Sequence, residues 1–294
     1  MTPHEFYLQQ SYITDPKEYS VLFDAIQNDV ESICKAAQNV IVHYFGNPKY
    51  KPPKNRWVEA DTRSVSKILD IVLRMDSRPL CEERVFENRF VGCCRDFSVL
   101  TVSIMRHKGI PARVRYGTAN YFEKGYYWDH VIVEYWNGLS WVRVDPQLSH
   151  QDRDWGINIR DLPIDTFFPG ARGWQLVRSG QEQATKFGLG SQRGGIEFVL
   201  VEMLLDLAAL NREELLCWEG WGYSSMDYKD FSEEDKLFLD RVAATILTLD
   251  NQSFQEWLEL FKHPRLLVPS EIISFSPAAH DSSVYPIKVH LERV

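Results

Sequence analysis

The sequence of 294 residues predicts an α+β protein: a buried helix packed on an antiparallel sheet, with further helices after it. Three observations carry that expectation. Apolar residues at helical spacing fill much of the first hundred positions, and one helix, 95–108, is apolar nearly all the way round. Alternating β-branched runs then take over before helical spacing returns, an order that separates helices from strands along the chain.

Residues 19–45 place Val21, Leu22, Ala25, Ile26, Val30, Ile33, Ala37, Val40 and Ile41 as one long helix, ended by Gly46-Asn47-Pro48. A basic loop, 48–56, leads to a second helix at 63–75, and 77–89 reads as irregular. The helix at 95–108 stops at Gly109 with Pro111 just beyond; Phe97, Val99, Leu100, Val102, Ile104 and Met105 leave it no polar face. Strands follow at 112–117, 119–122, 131–136 and 141–144. The stretch 147–195 is rich in Asp, Gly and Pro and reads as loops. Helices are expected at 197–210, at 233–249 behind a Ser232/Asp235 capping box, and at 254–261, with a last strand at 284–291. The chain divides into an N-terminal helical segment, 1–60, a core, 61–195, and a helical extension, 196–294, packed as one unit.

A net charge of −8 weighs against nucleic acid or an anionic membrane as partner. The first ten residues lack the basic flank and apolar run of a secretory signal, and the most apolar segment, 198–210, is short and broken by Glu202 and Asp206. A cytoplasmic protein is expected. Five cysteines, Cys34, Cys81, Cys93, Cys94 and Cys217, are odd in number and irregularly spaced, unlike a disulfide framework. No Cys-x-x-Cys or His-Glu-x-x-His run is present, so neither a metal nor a cofactor is expected.

Chemistry is suggested by two segments. Asn137-Gly138 suits a two-residue type I′ hairpin turn, which would set His130 opposite Asp145, Val131 opposite Val144 and Val133 opposite Val142. The register that buries the valines is then the one that pairs an imidazole with a carboxylate; a one-residue slip would separate them. Taken singly, His130 is an ordinary strand histidine and Asp145 a turn residue before Pro146. The second segment is Gly92-Cys93-Cys94-Arg95-Asp96-Phe97, at the entrance of the buried helix. Unpaired backbone N–H groups and the positive end of the helix dipole favour a thiolate there, and the N–H of Cys94 could stabilise an oxyanion. The plainer alternative is that both cysteines are small buried hydrophobes.

Together these segments resemble the transglutaminase-like superfamily of papain-type thiol enzymes. The resemblance rests on Gly92-x-Cys94-x-Asp96-Phe97, on Arg106 with Gly109-Ile110-Pro111-Ala112-Arg113, and on Asp129-His130 with Trp141-Val-Arg-Val-Asp145-Pro146. It covers 89–148 most clearly, and similarity to bacterial transglutaminase-like proteins extends into 206–211 and 218–222. It implies Cys94, rather than Cys93, as nucleophile, His130 as base and Asp145 as the acid that orients it. The implied reaction is attack on an amide or related acyl group to give a thioester, resolved by water as hydrolysis or by an amine as acyl transfer. Substrates would be proteins, peptides or small-molecule amides.

In related enzymes the second oxyanion donor lies upstream of the cysteine; Trp57 is a candidate by position alone. Tyr121, Phe122, Tyr126, Tyr127 and Trp128 crowd the approach to His130 as a candidate cleft lining, and Arg113 could bind a carboxylate or simply face solvent. Arg95 and Asp96 read as structural. The chain lacks the paired cysteine zinc ligands of cytosolic peptide glycanases, and the length and calcium loops of animal transglutaminases. The rival expectation, from another class, is a non-catalytic binding or scaffolding protein of the same fold. The intact Cys94, His130 and Asp145 weigh against it.

Overall fold

In a computed structural model, which describes residues 1–151, 153–190, 193–248, 254–276, 278 and 286–293, the chain is a mixed α+β structure. The first part holds helices α1 (Pro3–Leu8), α2 (Val30–Val40) and α3 (Val65–Met75), with the short strand β1 (Ile41–His43). Strand β2 (Phe90–Gly92) pairs parallel with β1 and runs into helix α4 (Cys94–His107). A five-stranded sheet follows, built from β3 (Ala112–Ala119), β4 (Tyr127–Trp136), β5 (Trp141–Val144), β6 (Phe167–Pro169) and β7 (Phe187–Gly188). Its order is β5-β4-β3-β6, antiparallel throughout, with β7 parallel to the start of β4. Helices α5 (Gly170–Arg178), α6 (Ile196–Leu210), α7 (Glu233–Leu247) and α8 (Phe254–Leu260) complete the fold. A small sheet joins them, from β8 (Glu219–Gly220), β9 (Glu271–Ser274) and β10 (Ile287–His290).

Helix α4 is the centre of this arrangement. Residues Cys94 to Arg106 are all buried, as a helix without a polar face requires. Val99, Val102 and Met105 join the valines of β4 and the apolar face of α6 in one core that runs from Phe6 to Leu291. The Ser98 hydroxyl donates to the Val131 carbonyl at 3.0 Å, fixing the helix to β4. Buried polar links tie distant segments together around it: Arg106 of α4 pairs with Glu214 at 3.2 Å, and the Tyr7 hydroxyl of α1 donates to the Leu210 carbonyl of α6 at 2.9 Å. Gly109, with φ of +76°, ends the helix in the left-handed region.

Several expectations need correction, among them a strand at 119–122, where β3 already ends at Ala119. The long helix at 19–45 is a 3-10 turn (Lys17–Phe23), then α2 behind the Asp29 cap, then β1. The Asp29 carboxylate accepts the Ser32 amide at 2.8 Å, which starts a new helix, and Ile41–His43 leaves it to pair with Phe90–Gly92. Apolar residues recur at similar spacing through all three, whether buried like Phe23 and Ile33 or exposed like Val21. The stretch 147–195 contains α5, whose two glycines mask its helical pattern, besides β6 and β7. The last strand begins at Ile287, and positions 284, 285 and 249 of the expected elements lie outside the described residues.

The hairpin also differs. Its loop has four residues, not two: Trp136 faces Trp141, Tyr135 faces Val142 and Val133 faces Val144. The Asn137 side chain accepts the amides of Leu139 and Ser140, both at 2.9 Å, so Asn137 builds a wider turn and only Gly138 takes a positive φ. The register moves by two residues. An even shift leaves every side chain on its expected face, so Val133 and Val144 are still in the core and His130 and Asp145 still share the other face.

Candidate active site

The start of α4 is held by motif residues that do no chemistry. Cys93 is the extended residue before the helix, and its amide donates to Asp96 Oδ2 at 2.8 Å. Asp96 Oδ1 in turn accepts from Arg95 at 2.9 Å, and the buried guanidinium also donates to the carbonyls of Glu214 and Arg63. A Cβ at Gly92 would lie 2.6 Å from Asp96 Oδ2, so the glycine clears the space that the carboxylate fills. This explains the spacing of glycine, cysteine and aspartate, and it sets Cys93 and Cys94 at the first turn of α4.

His130 and Asp145 meet diagonally across the hairpin. His130 Nε2 is 2.7 Å from Asp145 Oδ2, and both side chains are buried. The same carboxylate oxygen accepts the Tyr121 hydroxyl at 2.7 Å, while Oδ1 accepts the amides of Gln147 and Leu148 at 3.0 and 3.3 Å. Burial alone would raise the Asp145 carboxyl. The charge and hydrogen bond of His130, with the bonds from Tyr121 and Gln147, hold it below the usual range instead, so it stays an anion beside the imidazole. Phe122 packs edge-on against the His130 ring, centroids 4.9 Å apart.

Cys94 and His130 line one cavity of about 770 Å³, with Cys93, Cys217, His43, Asp129, Glu202 and aromatic walls from Phe97, Phe122, Trp128, Trp155 and Trp218. Strand alternation turns Asp129 and His130 to opposite faces of β4, so the cavity wraps the beginning of that strand. The sulfurs of Cys93, Cys94 and Cys217 all lie within 4.8 Å of one another. Hydrogen bonds from the Cys217 and Cys94 thiols pull the Cys93 thiol well below its usual value, against its burial. Cys94 and Cys217, which give those bonds, go up.

Among the weaker candidates, Trp128 lines the cavity and donates its indole N–H to Glu123 at 3.1 Å. The others are placed elsewhere. Trp57 gives its indole N–H to the Pro52 carbonyl at 3.3 Å and packs against Tyr44; it does not line the cavity. Tyr127 stacks on Phe187 with centroids 4.4 Å apart and bonds Glu182. Arg113 is neither solvated nor in the cleft: it bonds Glu134 at 2.9 Å and covers the Trp141 ring at 4.2 Å.

Sequence reasoning missed His43, Glu202 and Cys217. His43 arrives through the β1–β2 pair, and burial drives its pKa down to about 4, so it is neutral. Glu202 on α6 shares a hydrogen bond with Asp129; burial and the Asp129 carboxyl push Glu202 well above the usual range, while burial and the Cys93 thiol raise Asp129 to about 6 against the hydrogen bond from Glu202. No local pattern marks these three, which lie on segments far apart in the chain.

Comparison with known proteins adds two findings. Residues 24–146 match the family model of the transglutaminase-like superfamily. A solved structure of a candidate cysteine protease from Cytophaga hutchinsonii is similar over 56% of this chain, with 18% identity and a TM-score of 0.33; the match spans 44% of that protein. No curated protein matches the sequence. Among the described residues no helix is long and apolar enough to cross a membrane.

Proposed function

For a chain whose residues 24–146 form a transglutaminase-like domain, we propose a cysteine-dependent acyl-group enzyme that works through a thioester on Cys94. The observation that carries the reading is the buried His130–Asp145 pair, 2.7 Å apart, whose imidazole lines the cavity that Cys94 also lines. With Nε2 bonded to Asp145, Nδ1 is the imidazole nitrogen left to take the Cys94 proton. The sulfur then attacks the acyl carbon, the oxyanion forms near the helix start where the Cys94 amide is a donor, and the imidazolium gives its proton to the leaving amine or alkoxide. Water or an incoming amine, deprotonated by His130, breaks the C–S bond and returns the proton to sulfur. The acyl group leaves as an acid or as a new amide. Asp145 keeps the tautomer and stabilises the imidazolium throughout. The substrate is a protein, peptide or small-molecule amide, and the reduced thiols fit a cytoplasmic enzyme.

The test is release of p-nitrophenol from a small acyl ester, with the acyl product followed in the absence and presence of a primary amine. Release that needs Cys94 and His130 supports the reading, and the product divides hydrolase from acyltransferase. Release unchanged in Cys94→Ala overturns it. Cys93 is the second candidate because its sulfur sits at the helix cap; Cys93→Ala is therefore the companion variant, expected to retain turnover. A binding or scaffolding protein of this fold would give no release in any variant.

A further inference from the structure

Three thiols in one cavity wall are more than a single nucleophile requires. Cys93 and Cys94 come from the start of α4, and Cys217 comes from the segment after α6. Their sulfurs are within 4.8 Å of one another, with two buried and one half-buried. A four-coordinate zinc ion with Zn–S bonds of about 2.3 Å holds its sulfurs roughly 3.8 Å apart, so modest side-chain rotation closes the trio around an ion. We propose that Cys93, Cys94 and Cys217 form a binding site for a thiophilic divalent cation such as Zn²⁺, held by three thiolates with its remaining position open to the cavity.

The surroundings favour a cation there. Asp129 and Glu202 line the same cavity, and Asp129 Oδ1 and Glu202 Oε2 have no hydrogen-bond donor. Among the described residues no lysine or arginine pairs with either carboxyl or with the thiols; Arg115, from the same sheet, is spent on Glu134 and Asp206. Acidic groups gathered on one buried wall without a basic partner gain from a divalent ion that supplies the missing positive charge. His43, although adjacent, is not a ligand. Its Nδ1 accepts the amides of Gly46 and Phe45 at 2.9 and 3.3 Å, which puts the ring proton on Nε2. Binding forms three metal–sulfur bonds, displaces water from the aqua ion and releases one proton from each thiol that carried one. It also occupies the Cys94 sulfur, so the metal-loaded protein would be silent in acyl chemistry.

The test uses the full-length, reduced, metal-free protein. Cadmium is titrated while the ultraviolet thiolate-to-metal charge-transfer band is followed, and zinc affinity is read by competition with a chromophoric chelator. One ion per chain is expected, with Cys93, Cys94 and Cys217 protected from alkylation while exposed Cys81 is not. Cys217→Ser should lower zinc affinity at least ten-fold, about 1.4 kcal/mol, and Cys81→Ser should leave it unchanged. No band and no protection in the wild-type chain, or equal affinity in a Cys217→Ser variant with a wild-type unfolding transition, overturns the site. The readouts need no turnover. A chain that cleaves esters but binds no metal overturns the metal site alone, and one that binds metal without acyl chemistry overturns the enzymatic reading alone.

Discussion

Strand β4 carries a buried charged assembly at each end, and the two are built differently. Near its end, Glu134 accepts from Arg113 at 2.9 Å, Arg115 at 2.7 Å and Arg143 at 3.0 Å. Arg115 also forks onto both oxygens of Asp206 on α6, each at 2.8 Å. Every charge there meets an opposite one. At the start of the strand, Asp129 and His130 stand with Glu202 and three thiols on an open cavity, and Asp129 Oδ1 and Glu202 Oε2 lack partners. A closed network of this kind fixes the sheet to α6. The unsatisfied one retains groups whose protons can still move, which is what acyl transfer by a thiol needs.

If that division is right, substitutions at the two ends separate activity from stability. Cys94→Ala is expected to lower ester turnover on the order of 10⁴-fold or more while leaving the unfolding midpoint near that of the wild type. Asp145→Asn should cost about 10³-fold or more in kcat, because the imidazole loses its anionic partner and favoured tautomer; steady-state kinetics on a folded variant checks it. At the other end Glu134→Gln leaves the buried guanidinium groups of Arg113 and Arg115 and the half-buried one of Arg143 short of charge. A loss of about 3–5 kcal/mol in urea unfolding is expected. Full stability in that variant would break the comparison.

The pH dependence of unfolding should also run in opposite directions. Burial works to raise Glu134, but Arg115, Arg113 and Arg143 hold it far below the usual carboxylate range. Its contribution is present above the ordinary pKa and lost as pH falls toward the folded value. Asp129 and Glu202 are raised, so their contribution is complete in acid and fades as pH rises through about 6, the value for Asp129. Glu134→Gln should flatten the acid limb of a stability–pH profile, and Glu202→Gln the limb above pH 6. The smallest effect concerns Tyr121, whose hydroxyl supports Asp145 at 2.7 Å. Tyr121→Phe should reduce turnover by about five-fold, corresponding to a hydrogen bond of about 1 kcal/mol.

How much of this was legible follows from distance along the chain. Cys94, His130 and Asp145 fall within fifty-odd residues and sit in local patterns, a helix start and a hairpin, whose physics is short-range. The hairpin reading erred in loop length because the Asn137 side chain captured two amides, yet it kept the right faces because the slip was even. Apolar spacing over 19–45 could not separate a 3-10 turn, a helix and a buried strand, since apolar residues recur through all three whether they face the core or, like Val21, solvent. Arg113 read as a strand surface because Glu134 and Trp141, which enclose it, are supplied by pairing between strands. Cys217, Glu202 and His43 reach the cavity only through long-range packing of α6 and the β1–β2 pair. No spacing rule within a segment announces them.

Central to the account is a nucleophile chosen by its surroundings rather than by its exposure. The most direct measurement is peptide mapping of the reduced protein after brief treatment with limiting iodoacetamide near neutral pH, in the wild type and in His130→Ala. Cys94 is only 6% exposed, whereas Cys81 is open to solvent. The account predicts stoichiometric modification of Cys94 ahead of Cys81, lost in His130→Ala. Labelling led by Cys81, or by Cys93 with no dependence on His130, would contradict it.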